Sequence, residues 1–298
     1  MNKMIFKGTC TAAITPFTEN GIDFDALSRQ IDFQIDNGID ALCILGTTGE
    51  APTITDDEYE AVAKFSYDKI AGRVKYIMGS GCNCTKKAIE KSQLAQKIGA
   101  DGLLVVTPYY NKCTQKGLIK YYNEICDNID IPVLCYNVPA RTGVNILPQT
   151  MAEIAEHKNI GGIKEACGNM EQICETARLL RGKTALYSGD DNLNLAMLSI
   201  GSMGLISVAS NIVPKEVGDV AKLFFAGKNA EAVALQERLL PLIDIMFCEV
   251  NPIPVKKASE LIGLGKGIVR GPLTELEEEH TAQMIKILKN FGLKLKEN

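Results

Sequence analysis

The first two-thirds of the chain alternate between two hydrophobic rhythms. Near-continuous apolar runs occupy 8–17 (GTCTAAITPF), 41–50 (ALCILGTTGE), 75–81 (KYIMGSG), 102–110 (GLLVVTPYY), 132–139 (PVLCYNVP), 161–166 (GGIKEA), 185–190 (ALYSGD) and 204–211 (GLISVASN). Between them, segments such as 23–37, 56–70, 86–98, 116–128 and 149–156 are amphipathic with helical spacing, and Thr55 with Glu58 forms a capping-box start. Unbroken apolar strands are those buried on both faces, as in parallel sheets. Eight strand–helix units in succession predict an α/β fold, a (β/α)8 TIM barrel. A doubly wound sheet would carry a Gly-rich turn after its first strand, whereas here that strand ends in Thr15-Pro16-Phe17.

Beyond Asn211 the strand rhythm stops. Positions 214–227, 229–246, 252–262 and 274–291 read as helices, the last opened by a second capping box, Thr274 with Glu277. The expected division is a catalytic barrel over 1–213 and a C-terminal helical domain over 214–298. GLGKG at 263–267 follows a helix and lacks the phosphate-loop form, so it reads as an interhelical loop.

The 298 residues, 46% of them apolar, suffice for one large domain with an appendage, and no run approaches the roughly 18 apolar residues of a membrane span. No apolar h-region precedes the first strand, so a cytoplasmic protein is expected. A net charge of −4 with scattered lysines disfavours nucleic-acid or membrane-surface binding. The ten cysteines lack zinc-ligand spacing and only two histidines, His157 and His280, are present, so cysteines acting as small core hydrophobes in a reducing compartment are expected, with no metal.

Lys164 stands out, because it interrupts an apolar strand in NIGGIKEACGN. A lysine is seldom buried without a partner, and exclusion of water favours the neutral, nucleophilic amine. The plain alternative is a strand-end lysine snorkelling to solvent. The predicted strand ends decide between the two: active sites of barrel enzymes lie at the C-terminal ends of the strands. These ends carry Thr15-Pro16, Gly46-Thr47-Thr48-Gly49-Glu50, Gly79-Ser80-Gly81, Thr107-Pro108-Tyr109-Tyr110, Tyr136-Asn137, Lys164-Glu165, Ser188-Gly189-Asp190-Asp191 and Ile206-Ser207. One rim gathers hydroxyls, phenols and an amine, with few carboxylates and no histidine. That set suits carbonyl chemistry through a lysine imine, with hydroxyls moving protons. It does not suit glycoside hydrolysis or a metal-dependent aldolase. Singly, each residue has a plainer reading: Tyr136 as a strand-end aromatic, Thr47 and Thr48 as helix caps, Arg141 as a surface arginine, Asp190 and Asp191 as capping acids.

GTTGE (46–50), TPYYN (107–111), YNVPARTG (136–143), GIKEACGN (162–169), SGDD (188–191) and NPIPVK (251–256) closely resemble the dihydrodipicolinate synthase family of pyruvate-dependent, Schiff-base class I aldolases, and the resemblance runs from about Lys7 into the C-terminal helices. It implies condensation of pyruvate with L-aspartate 4-semialdehyde to 4-hydroxy-tetrahydrodipicolinate, on the diaminopimelate route to lysine, without a cofactor. The implied roles are Lys164 as the imine-forming residue, Tyr136 as proton donor and acceptor, and Thr47 and Tyr110 as the rest of a proton relay. Tyr110 would come from a neighbouring subunit, so the resemblance implies a homodimer at least, and a tetramer by the family's habit. Thr48 and the backbone of Ile206 would hold the pyruvate carboxylate, with Gly189 also in the substrate pocket. Arg141 would take the carboxylate of the second substrate. Within the same family, an N-acetylneuraminate lyase or a 2-keto-3-deoxy sugar acid aldolase is the alternative, which Arg141 and Tyr109-Tyr110 disfavour. A non-catalytic sensor would not need Thr47, Tyr110, Tyr136 and Lys164 together. Finally, Lys87, Ala51 and Tyr59 depart from the pattern of lysine-inhibited relatives, which implies insensitivity to lysine.

Overall fold

The computed structural model describes residues 4–296. Eight parallel strands close into a barrel: Gly8–Ala12 (β1), Ala41–Ile44 (β2), Lys75–Gly79 (β3), Gly102–Val106 (β4), Val133–Asn137 (β5), Ile160–Glu165 (β6), Ala185–Ser188 (β7) and Gly204–Ser207 (β8). Each strand pairs with its sequence neighbour, and β8 closes the ring on β1 with Gly8 opposite Gly204 and Cys10 opposite Ile206. The longer helices are Phe24–Asp36 (α1), Asp56–Ile70 (α2), Thr85–Ile98 (α3), Gln115–Asp127 (α4), Pro148–Ile154 (α5), Met170–Leu180 (α6), Asn194–Ser199 (α7), Pro214–Phe225 (α8), Asn229–Ile245 (α9), Ile253–Leu261 (α10) and Glu278–Phe291 (α11), and a single turn, Pro139–Thr142, carries Arg141. The expected (β/α)8 barrel with C-terminal helices is therefore the observed fold. Helix α8 packs both on β1 and on α9.

Strand alternation sorts the core into layers. Cys10, Ala12, Cys43, Ile77, Leu104, Leu134, Tyr136, Tyr187 and Ile206 fill the barrel, while Leu42, Met78, Val105, Val133 and Cys135 face the surrounding helices. Phe6 stacks on Tyr187 with ring centroids 4.4 Å apart, and the Tyr187 hydroxyl donates to the Phe6 carbonyl at 2.6 Å, closing the barrel floor. A further apolar cluster joins α8 to α9, α10 and α11 through Val217, Leu239, Leu242, Ile253, Met284 and Leu288.

An irregularity in β6 sets the orientation of Lys164. Val133 lies opposite Ile160, but Leu134 lies opposite Gly162, so Gly161 is an extra residue in β6. The slip reverses the alternation: Ile160 and Ile163, three apart, both reach the outer layer. Lys164 consequently sits opposite Tyr136 on one side and Tyr187 on the other, both of which point into the barrel.

The first capping box forms as expected: the Thr55 hydroxyl accepts from the Glu58 amide at 3.3 Å, and the Glu58 carboxylate from the Thr55 amide at 3.1 Å. The second does not. Helix α11 starts at Glu278, after Glu277, and the Glu249 carboxylate takes the Glu277 amide and His280 Nδ1 instead, which leaves Thr274 in the preceding loop. The cysteines are all free, and Cys10, Cys43, Cys82, Cys126 and Cys135 are buried. Cys84 and Cys174 are exposed and contribute nothing to the core. Among the described residues, no helix is long and apolar enough to cross a membrane.

Candidate active site

The C-terminal rim of the barrel encloses a cavity of about 300 Å³ bounded by Thr47, Thr48, Tyr136, Arg141, Lys164 and Gly189, with Ala12, Cys43 and Leu104 as its apolar walls. A neighbouring chamber of about 210 Å³ shares Thr47, Tyr136 and Arg141 and extends past Pro52, Cys82, Lys91 and Tyr109.

Lys164 is 5% exposed, and its Nζ lies 4.4 Å from the centre of the Tyr136 ring. It has no carboxylate partner among the ion pairs of the described residues. The contrast with the other buried lysine is informative. Lys256, fully buried, pairs with Glu50 and donates to the Ile268 carbonyl at 2.8 Å, and burial pulls it down to about 8 against the opposing pull of Glu50. That amine is held by structure, whereas the amine of Lys164 faces open cavity. Cys43 beside it is no competing nucleophile, because burial pushes its thiol up to about 11.

Room for Lys164 depends on Gly189. A Cβ there would fall 2.9 Å from Lys164 Cε, 3.0 Å from Cγ and 2.8 Å from Ala166 Cβ. The loop that presents Thr47 and Thr48 is a tight, strained turn, with Leu45 at φ 59° and Glu50 at φ 54°. It is tied from three directions. Thr15 donates to the Gly49 carbonyl at 2.8 Å, the Glu50 carboxylate accepts from Lys256 and from the Arg270 amide at 3.0 Å, and Asn251 Nδ2 donates to the Thr48 hydroxyl at 3.0 Å.

Glu165 and Asp191 are buried acids that support the rim. Glu165 accepts from Asn137 Nδ2 at 2.9 Å and from the Cys167 amide at 2.9 Å, and burial raises its pKa. Asp190 caps a short turn as expected, accepting from the Asn192 amide. Asp191 does not act as a capping acid: it turns inward, accepts from Ser207 Oγ at 2.5 Å and the Val208 amide at 2.9 Å, and is raised by burial. It anchors the end of β8.

Six of the eight residues expected from sequence converge here: Lys164, Tyr136, Thr47, Thr48, Arg141 and Gly189. Ile206 is fully buried inside the barrel and does not line the cavity by its side chain. Tyr110 does not join its own chain's cavity. It is 90% exposed and stands out from the rim at φ 68°. Sequence reasoning missed Asn251 and Phe247, which close the cavity from the segment after α9. NPIPVK was visible as a motif, but nothing local in it marks Asn251 as a wall of a site built 203 residues earlier.

The model of the dihydrodipicolinate synthetase family matches residues 5–291. The chain belongs to this family. A 4-hydroxy-tetrahydrodipicolinate synthase of Caldicellulosiruptor saccharolyticus is 48% identical over 294 residues, 98% of this chain and 99% of that protein. A crystal structure of dihydrodipicolinate synthase from Aquifex aeolicus superposes with a TM-score of 0.96 at 41% identity, covering 98% of this chain and 100% of that one. The chloride-inhibited enzyme of Acinetobacter baumannii, complexed with pyruvate, superposes at 0.94 with 38% identity, covering 97% and 99%. Family membership makes the chain a lyase of the class I aldolase type and a 4-hydroxy-tetrahydrodipicolinate synthase by its relatives, and it gives the rim geometry a reaction to be read against.

Proposed function

We propose that this synthase joins pyruvate to L-aspartate 4-semialdehyde through an imine on Lys164. The Lys164 amine adds to the keto carbon of pyruvate, and loss of water leaves the imine. Its electron demand weakens the methyl C–H bonds, so a proton is released to give the enamine. The enamine carbon bonds to the aldehyde carbon, and the second substrate's own amine then displaces Lys164, freeing cyclic 4-hydroxy-tetrahydrodipicolinate. Tyr136 moves protons at the imine carbon, with Thr47 and the Tyr110 of a neighbouring subunit completing the relay. Thr48 and the backbone of Ile206 hold the pyruvate carboxylate beside Gly189, and Arg141 offers its planar fork to the carboxylate of the aldehyde.

The observation that carries this reading is the buried Lys164 amine, without a carboxylate partner among the described residues, set over the Tyr136 ring and in a cavity edged by Thr47 and Thr48. The exposure of Tyr110 supports its use in another subunit's site, and hence a homo-oligomer, a dimer at least and a tetramer by the family's habit. We place the enzyme in the cytoplasm, on the diaminopimelate route to lysine.

The test is borohydride reduction in the presence of pyruvate, followed by intact-mass and peptide analysis. One pyruvyl adduct per chain on Lys164 is expected, absent in Lys164→Ala and unchanged by chelators. Labelling at Lys256 would sink the assignment.

A further inference from the structure

Resting on that reading, we infer that Asn251 is a positioning residue for pyruvate: its side-chain amide fixes the Thr48 hydroxyl as a hydrogen-bond donor to the pyruvate carboxylate.

Asn251 is 6% exposed, belongs to the turn before α10, and borders the cavity that holds Lys164. Its Nδ2 donates to Thr48 Oγ1 at 3.0 Å. A hydroxyl has one proton and two acceptor lone pairs. With one lone pair engaged by an amide N–H, the proton of Thr48 is directed elsewhere, and the cavity is the open direction. An anion placed there meets a donor already turned toward it.

The geometry is maintained at a cost to Asn251 itself. Its Oδ1 is buried with no partner among the described residues, and an unsatisfied buried acceptor is uncommon enough to need a reason. The segment bearing it is firmly seated, because Lys256 on α10 pairs with Glu50 in the same loop as Thr48 and lies 3.8 Å from the Phe17 ring centre. The main-chain carbonyl of Asn251 has a different partner, accepting from Arg141 Nη2 at 3.2 Å. The side chain therefore serves the pyruvate end of the cavity, while the main chain serves the arginine assigned to the other carboxylate. Substituting the side chain separates the two.

The experiment compares Asn251→Ala and Asn251→Asp with Thr48→Val and the double variant Thr48→Val/Asn251→Ala. The reading of the site is checked first in each protein, by the borohydride adduct on Lys164 at saturating pyruvate; absence of that adduct in the wild type defeats the imine mechanism independently of Asn251. Given the adduct, Asn251→Ala should raise the KM for pyruvate about three- to tenfold, the worth of one hydrogen bond to an anion-binding hydroxyl, with a smaller change for the aldehyde. Asn251→Asp should raise it further, since an acceptor-only carboxylate draws the Thr48 proton to itself and faces the substrate anion. In the Thr48→Val background, Asn251→Ala should add less than about twofold, because the two residues act through one contact. Additive effects, equal losses for both substrates, or an unchanged pyruvate KM in Asn251→Asp would overturn the inference. Should Asn251→Ala fail to fold, the near-isosteric Asn251→Asp carries the comparison alone.

Discussion

A single methyl group measures how closely Lys164 is confined. Gly189→Ala would place a Cβ inside contact distance of the lysine's Cγ and Cε and of Ala166 Cβ, so either the lysine stem or β7 must shift. We expect a fall in kcat/KM on the order of 100-fold, as for a reacting group displaced by about an ångström, with overpacking lowering stability by about 1–3 kcal/mol. Steady-state kinetics and the rate of the borohydride adduct check this; an adduct forming at the wild-type rate would show that the stem has room. The chamber beside the cavity supports a second residue-scale expectation, insensitivity to lysine. Tyr59 is buried with its hydroxyl donated to the Gly79 carbonyl at 2.5 Å, and Lys91 lies 4.4 Å above its ring at the chamber wall. A cationic ligand in the chamber therefore meets the like charge of Lys91, and Lys87, exposed one turn earlier on the same helix, adds to the positive charge outside it. Calorimetry and a coupled assay over a wide lysine range should show no saturable inhibition below about millimolar, weaker than ~4 kcal/mol of binding free energy.

At the scale of elements, α2 is clamped to the C-terminal region by Arg270, which donates to both Glu58 oxygens at 2.5 and 2.7 Å. The Arg270 guanidinium is the main cause that holds the Glu58 carboxyl down, from 4.5 to about 2. A carboxyl whose folded pKa is depressed contributes stability above its unfolded value and loses it as pH falls through the folded one. Glu58→Gln keeps a capping-box residue and removes only the charge. It should destabilise by about 1 kcal/mol at neutral pH, a figure discounted for solvent screening, and the difference from wild type should vanish as pH is lowered from about 4.5 to 2. Denaturant melts across that range decide it; a constant difference would mean the ion pair contributes nothing. The elements themselves were largely legible, since parallel strands buried on both faces announce themselves as unbroken apolar runs. The slip at Gly161 was not, because Gly161-Gly162 is equally compatible with either phase and only the pairing with β5 chooses. Nor was the inward turn of Asp191, which is set by Ser207 on the neighbouring strand. Thr274-Glu277 has the composition of a capping box, yet Glu249, 28 residues from Glu277, supplies the carboxylate.

At the scale of the whole molecule, one chain holds most of a site. Lys164, Tyr136 and Thr47 share a cavity, whereas Tyr110 points away into solvent. If Tyr110 completes a partner's relay, Tyr110→Phe should lower turnover while leaving the imine adduct able to form. Mixing Tyr110→Phe with Lys164→Ala subunits should then restore activity, up to about a quarter of the wild-type level for random exchange in a symmetric dimer. No recovery after demonstrated exchange would mean that Tyr110 works within its own chain.

The extra residue in β6 has a further consequence, for folding fidelity. A strand that slid by one position would send Lys164 outward into the layer occupied by Ile160 and Ile163, where the barrel meets its helices, and would aim Ile163 at the cavity. Seating a charged amine among aliphatic side chains is far costlier than seating the isoleucine. The wrong alignment is thus penalised by the residue the chemistry requires, so the lysine doubles as a peg that keeps the strand in its correct phase.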